Sequence, residues 1–199
     1  QLLNRKYGLI DPALSQGFKQ IQADVSRGSN VLENLLLLAR LDPSDATQLP
    51  CQTVQMDAVV EEVLNILYPY ALEKQIDYQL ELKKVSLDAN KELILICIRN
   101  LVDNAIRYAK PGGLIQIKLN QQDSSVHFKI ENAGEGLSDA VLKRLGERFY
   151  RELGTKTQGS GLGLSICKKI IQLHGGKIEF SASNLGGLKV DITLPVQPQ

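Results

Sequence analysis

The apolar residues of this chain keep one period up to about residue 40 and change it after residue 53, and that change divides the molecule. Leu14, Phe18, Ile21, Val25, Gly28, Leu32, Leu35 and Ala39 follow one another in alternating steps of four and three, with polar and charged residues between. Such a seam, sustained over more than three heptads, specifies a long helix with one apolar edge. Asp11-Pro12 is a suitable start, because proline tolerates the first helical turn. Residues 1–7 read as the tail of an earlier helix ended by Gly8, so residues 1–42 form part of a helical hairpin. Its seam either lies on the following domain or forms half of a dimeric bundle, and the strictness of the spacing favours the bundle. Residues 43–53, with Pro43, Pro50 and small polar residues, read as a linker.

Beyond the linker, helical and alternating patterns take turns. Met56–Lys74 places Val59, Val60, Val63, Leu64 and Leu67 on one side, and Lys91–Ala109 is a second helix. Ile76, Tyr78, Leu80 and Leu82 alternate with polar residues, as do Ile115, Ile117 and Leu119, and then Val126, Phe128 and Ile130. This is the period of a half-buried strand. A glycine-rich loop, a short helical piece over 139–151, a helix over 161–174 closed by Gly175-Gly176, and a final hairpin around Asn184 complete residues 54–195. The expected fold is α+β, with a largely antiparallel mixed sheet covered by helices on one face.

Composition excludes several classes. The net charge of +1 gives no electrostatic case for binding nucleic acid. No apolar run approaches the ~18–20 residues of a membrane span. Cys51, Cys97 and Cys167 stand far apart, which argues against a disulfide framework and for a reducing compartment. The chain begins at Gln1 with no signal-peptide pattern, and reads as a piece of a longer protein.

Three constellations carry chemistry. Asn100, Asn104, Arg107 and Tyr108 share one face of the helix at 91–109, whose other faces are apolar. An Asn oxygen is a hard neutral donor that suits Mg²⁺ already carrying phosphate, and Arg107 and Tyr108 suit a phosphate and a base. The alternative is a solvated helix face. Next, Asn132, Gly134 and Gly136 follow the strand ending at Ile130, where missing side chains let backbone approach a ligand. Last, Gly159, Ser160, Gly161, Leu162 and Gly163 open a helix, a ready anion site. This loop matches neither familiar phosphate motif: a dinucleotide fingerprint needs Gly where Leu164 stands, and a P-loop needs Lys where Ser160 stands. Arg144, Arg148, Arg151 and Lys156 flank it, as a solvated face or as a lid that meets a triphosphate. His127 reads as a surface strand residue. His174, in a last helical turn, reads as a structural residue where a cation suits the dipole.

In order and spacing, these pieces resemble the ATP-binding domain of sensor histidine kinases. Asn100-Leu-Val-Asp-Asn104-Ala-Ile-Arg-Tyr-Ala resembles the N box, Ile130-Glu-Asn-Ala-Gly-Glu-Gly-Leu137 the first glycine box, Gly146-Glu-Arg-Phe149-Tyr-Arg151 the F box, and Gly159-Ser-Gly-Leu-Gly-Leu164 the second glycine box. The helix ending Leu-Ala-Arg-Leu-Asp42 is similar to the second helix of the family's dimerisation hairpin. The F-box wording is closest to the QseC- and PmrB-like subgroup. The resemblance implies a Bergerat-type α/β sandwich that binds ATP and Mg²⁺. Asn104 would hold the metal, with Asn100 beside the phosphates. Arg107 would meet a phosphate and Tyr108 would cover adenine. The glycines, Ser160 and Leu162 would shape the pocket, Phe149 would pack the base of the lid, and Arg151 and Lys156 would meet the phosphates.

It also implies a dimeric, membrane-anchored parent with this portion in the cytoplasm, and relay to a response regulator. Two departures stand out. The first glycine box begins with Asn132 where the family has Asp; its amide oxygen can still accept from the adenine amine, weaker by roughly 1 kcal/mol without the charge. The acceptor His is absent, and the chain begins about a dozen residues after the place where the family carries it. The expected activity is γ-phosphoryl transfer to a His outside this chain. The alternatives are a nucleotide-sensing pseudokinase or scaffold, and a hydrolase, the last disfavoured because Asn100 stands where relatives that hydrolyse ATP place a Glu base.

Overall fold

A computed structural model describes residues 12–41, 50–151 and 159–197. The chain forms two units, divided after Arg40. The first is the helix α1 (Pro12–Arg40), 29 residues long. Its seam residues Ile21, Val25 and Leu32 are each more than 60% exposed. The first arm expected for the hairpin lies outside the described residues.

The second unit runs β1 (Gln52–Gln55), α2 (Met56–Glu73), β2 (Asp77–Leu82), β3 (Ser86–Ala89), α3 (Lys91–Tyr108), β4 (Leu114–Gln122), β5 (Ser125–Ala133), α4 (Asp139–Arg144), α5 (Gly163–Leu173), β6 (Lys177–Ala182) and β7 (Gly186–Pro195). Five strands form one sheet in the order β2-β4-β5-β7-β6; β2 pairs parallel with β4 and the other neighbours are antiparallel. Period-two alternation explains which face is dry. Ile115, Ile117 and Leu119 of β4, Val126, Phe128 and Ile130 of β5, and Val190, Ile192 and Leu194 of β7 are buried. The opposite face carries ion pairs such as Lys118–Glu81 at 2.7 Å and Lys129–Asp191 at 3.5 Å. Helix α3 packs against both α2 and α5 and lies over β5. The expected α+β sandwich with helices on one face is therefore present.

Several boundaries differ from the sequence pattern. Gln52 and Thr53, expected in the linker, belong to β1, which pairs with β3 in a separate two-stranded sheet. Four residues each are too few to declare a period. The helical piece expected over 139–151 stops at Arg144, because Gly146 takes φ +85° and Phe149 φ +63°. The last helix begins at Gly163 rather than Gly161, since Gly161 lies at φ +71°, outside helical backbone. Among the described residues, no helix is long and apolar enough to cross a membrane.

Candidate nucleotide site

Helix α3 is fastened at both ends before it presents anything. At its start, Asn90 Oδ1 accepts from Leu93 N–H at 3.0 Å, a side-chain cap on the first turn. The Asn90 N–H donates to His174 Nε2 at 3.1 Å, and His174 Nδ1 lies 2.8 Å from the Ile170 carbonyl. The first nitrogen must therefore accept and the second must carry the proton, so the buried ring is neutral. The structural role expected of His174 is therefore filled by a neutral ring, which accepts from the N–H of the residue that caps α3. Burial lowers its pKa below the ordinary 6.5.

At the end of α3, Lys74 Nζ donates to three carbonyls, Ile106 at 3.0 Å, Arg107 at 2.7 Å and Ala109 at 2.9 Å. These are carbonyls that a helix terminus leaves unpaired. Desolvation, with Arg107 nearby, pushes the Lys74 pKa down. The Lys74 carbonyl in turn accepts from Gly112 N–H at 3.0 Å, so one residue holds both the last turn and the loop after it. Nothing in the sequence pattern singled out Lys74; its partners lie more than thirty residues away.

The apolar faces of α3 are buried, as expected, and its polar stripe is not. Asn100, Asn104 and Arg107 are half-buried and Tyr108 is exposed. The stripe faces the turn that opens α5. A Cβ on Gly163 would stand 3.6 Å from Asn100 Oδ1, and one on Gly159 would stand 3.8 Å from Arg107 Nη1. The N box and the second glycine box, 50 or more residues apart in sequence, thus meet. Ser160 Oγ accepts from Leu162 N–H at 3.3 Å. Leu162 itself is fully buried, so its side chain is core and only its backbone serves the turn.

Asp103 is a further site residue that sequence reading passed over. Its Oδ2 accepts from Arg107 Nη2 at 2.7 Å, an i,i+4 pair on the same helix. The signal was the spacing, in the favourable order of acid before base. The pair orients the guanidinium along the stripe, although at this exposure it adds little to stability.

The F box meets the second glycine box through backbone. Phe149 N–H donates to the Gly161 carbonyl at 3.0 Å, and a Cβ on Gly161 would lie 2.8 Å from Phe149 C. Only glycine fits there. Phe149 has a φ of +63° and is 58% exposed, and the lid segment it was expected to pack against, residues 152–158, lies outside the described residues. Arg151 is exposed, and Lys156 lies outside the described residues. Gly136 has nothing within 4 Å of where its Cβ would be, whereas on Gly134 that atom would meet the Tyr108 carbonyl at 3.1 Å. The first glycine box therefore crosses the end of α3.

Asn132 lies near the end of β5. It continues the inward row Val126, Phe128, Ile130 and is 98% buried. Opposite it, the β5–β7 register shifts, and Gly187 and Leu188 together face this one residue. The bulge directs Leu188 N–H to Asn132 Oδ1 at 3.3 Å. The amide orientation follows from chemistry, since flipping it would set two donors against each other. The oxygen expected to accept from adenine thus already accepts one hydrogen bond, and Asn132 Nδ2 is buried without a partner among the described residues.

These features fit a magnesium-bound polyphosphate better than a resident metal. Among the described residues, no three His, Cys, Asp or Glu side chains gather into a metal site. Magnesium, however, needs few protein oxygens when phosphate and water supply the rest, and Asn104 offers one. The bare Cα atoms at Gly159 and Gly163 leave room for phosphate beside the start of α5.

Residues 89–198 match the family described as histidine kinase-, DNA gyrase B- and HSP90-like ATPases. The chain belongs to that family. The match begins just before α3 and includes every site residue named above except Lys74. Among curated relatives, the sensor protein QseC of Escherichia coli (strain K12) is 34% identical over 92% of this chain and 40% of its own length. The sensor protein kinase PmrB of Pseudomonas aeruginosa is 34% identical over 93% of this chain and 39% of its own. The chain thus spans about 40% of the length of these sensor relatives. Of solved structures, the catalytic domain of histidine kinase ThkA is similar with a TM-score of 0.69 and 28% identity, covering 75% of this chain and 97% of that one.

Proposed function

We propose that this chain is the catalytic part of a sensor histidine kinase, which binds Mg·ATP and passes its γ-phosphoryl group to a His outside the chain. The observation that carries the reading is the facing of Asn100 and Arg107 toward the bare glycines that open α5. That arrangement joins hard oxygen donors, a guanidinium and a helix N-terminus at one place. Phosphoryl transfer asks a protein mainly for positioning and charge neutralisation.

In this reading Asn104 supplies an oxygen to Mg²⁺, and Asn100 stands beside the phosphates. Arg107, aimed by Asp103, pairs with a phosphate, joined by Arg151 and Lys156. Magnesium, when bound, offsets the charge of the phosphate oxygens. Gly134, Gly136, Gly159, Gly161 and Gly163 shape the site, with Tyr108 and Asn132 at the base. Residues 1–42 are part of a dimerisation hairpin, 43–53 a linker and 54–195 the catalytic domain. The parent protein is a membrane-anchored homodimer whose cytoplasmic portion includes this chain, and its partner is a response regulator that takes the phosphoryl group on Asp. The similarity to QseC and PmrB supports this context.

A nucleotide sensor without transferase activity is favoured by one observation, the engagement of Asn132 Oδ1. Incubation with γ-labelled ATP and a separate helical hairpin carrying His-Glu-x-x-Thr-Pro separates the two. Acid-labile label on the hairpin is expected, with none on this chain, because His174 holds the α3 cap. Nucleotide binding without transfer would favour the sensor, and label on His127 or His174 would contradict the proposal.

A further inference from the structure

Between α4 and the second glycine box the chain is clasped by one side chain. Helix α4 ends at Arg144, and Gly146 turns the backbone with φ +85°. A Cβ on Gly146 would stand 3.3 Å from the Phe180 ring and 3.5 Å from Lys168 Cδ, so this turn sits directly on β6 and α5. Two backbone hydrogen bonds then carry the chain forward. Glu147 N–H donates to the Arg144 carbonyl at 3.0 Å, and Tyr150 N–H donates to the Glu147 carbonyl at 3.4 Å. The Arg144 side chain spans the same two steps. Its Nε donates to Glu147 Oε2 at 3.0 Å, and its guanidinium carbon lies over the Tyr150 ring, 4.0 Å from the centroid. A planar guanidinium can bond a carboxylate and lie on an aromatic face at once, which a lysine ammonium cannot do as well.

The far end of the clasp reaches the nucleotide site. Phe149 N–H donates to the Gly161 carbonyl, and a Cβ on Gly161 would stand 3.0 Å from the Tyr150 carbonyl. The residue whose ring Arg144 covers is therefore the one whose backbone abuts the second glycine box, and Arg151 follows it directly. Arg144 and Glu147 are both more than half exposed, where an ion pair adds little to stability. What the clasp does is select one path for the chain. We propose that Arg144 is a positioning residue for phosphoryl transfer: by holding Glu147 and Tyr150 it seats the Tyr150 backbone against Gly161 and so places Arg151 for the γ-phosphoryl group. The inference rests on the reading of Arg151 as a phosphate contact. In the transfer, the acceptor imidazole nitrogen bonds the γ-phosphorus as the bond to the β,γ-bridging oxygen breaks. ADP leaves with that electron pair, and the imidazole gives its N–H proton to water. Charge is spread over the γ-phosphoryl oxygens on the way, and a guanidinium misplaced by about 1 Å there costs on the order of a hundredfold in rate.

The readout is transfer from Mg·ATP to the separate hairpin carrying His-Glu-x-x-Thr-Pro, with binding of Mg·ADP, which has no γ-phosphoryl group, measured beside it. Arg144→Met keeps the apolar stem and should lower kcat about tenfold or more, with ADP affinity within about twofold of the original. Arg151→Ala should lower kcat at least as far. Adding Arg144→Met to it should cost nothing more, because Arg144 acts through Arg151. Losses that multiply in the double variant would overturn the inference, as would an unchanged kcat in Arg144→Met. A fall in ADP affinity as large as the fall in kcat would confine Arg144 to the fold and overturn it as well. Tyr150→Leu removes the other side of the stack and gives the same test if Arg144→Met does not fold. A hairpin left unlabelled by the unmodified protein would instead contradict the proposed function, and this inference with it.

Discussion

Single residues in this domain fall into those that hold the site and those that hold only the fold. Lys74 belongs to the first group, because its three hydrogen bonds end on the turn carrying Arg107 and Tyr108. Lys74→Met should cost about 1–3 kcal/mol, as carbonyls once bonded to a cation lose their donor. Thermal unfolding would measure that loss. Nucleotide affinity should fall as well, since the last turn of α3 is no longer fixed. Unchanged affinity in a destabilised variant would confine Lys74 to the fold. Tyr78 shows the opposite case. Its hydroxyl is buried without a partner among the described residues, and desolvation raises its pKa to about 12. Tyr78→Phe removes an unsatisfied group and keeps the ring, so stability should hold or rise by up to about 1 kcal/mol in denaturant unfolding. A loss of that size would reveal a partner for the hydroxyl.

Secondary-structure elements meet at His174, where the end of α5 caps the start of α3. Its folded pKa lies below the ordinary 6.5, so the unfolded chain takes up the proton first as pH falls. The stability this neutral ring contributes is therefore complete above about pH 6.5 and declines as pH drops below it toward the folded value. Urea unfolding between pH 7.5 and 5 should show that decline, and His174→Gln should flatten it; an equal slope in the variant would assign the decline to other groups. The junction of the F box with the second glycine box is just as specific. Gly161→Ala meets both a positive φ and the Phe149 backbone, and should cost about 2 kcal/mol or more. A melting temperature equal to that of the unmodified protein would contradict this.

Elements are also where sequence reading succeeds and fails. Ile115, Ile117 and Leu119 declare their strand because alternation is local, and the stripe from Asn100 to Tyr108 declares itself because helical spacing is local. The direction of the Asn132 amide was not legible, since it depends on a bulge at Gly187 and Leu188 that belongs to another strand. Lys74 escaped for the same reason, while the Asp103–Arg107 spacing was there to be read. β1 and β3 were too short to show a period.

At the scale of the whole molecule, the chain divides into two units after Arg40. The exposed seam of α1 carries no site residue, and burying each Leu or Ile side chain of such a seam contributes roughly 1.5–3 kcal/mol. Association of the chain in the micromolar range is expected (Kd ~10⁻⁶ M, about −8 kcal/mol). Phe18→Asp combined with Leu32→Asp should make it monomeric in sedimentation and spare nucleotide binding; a double variant that loses nucleotide would tie the seam to the site.

The central claim is that the α3 stripe and the glycines opening α5 form one magnesium-nucleotide site, and it is tested by titrating ATP with and without Mg²⁺ into the unmodified protein and Asn104→Ala. Mg²⁺ should tighten ATP binding by the unmodified protein. The variant should lose that gain while its Mg²⁺-free affinity stays close to the original. Equal losses with and without Mg²⁺, or no effect of Mg²⁺ on the unmodified protein, would contradict the account.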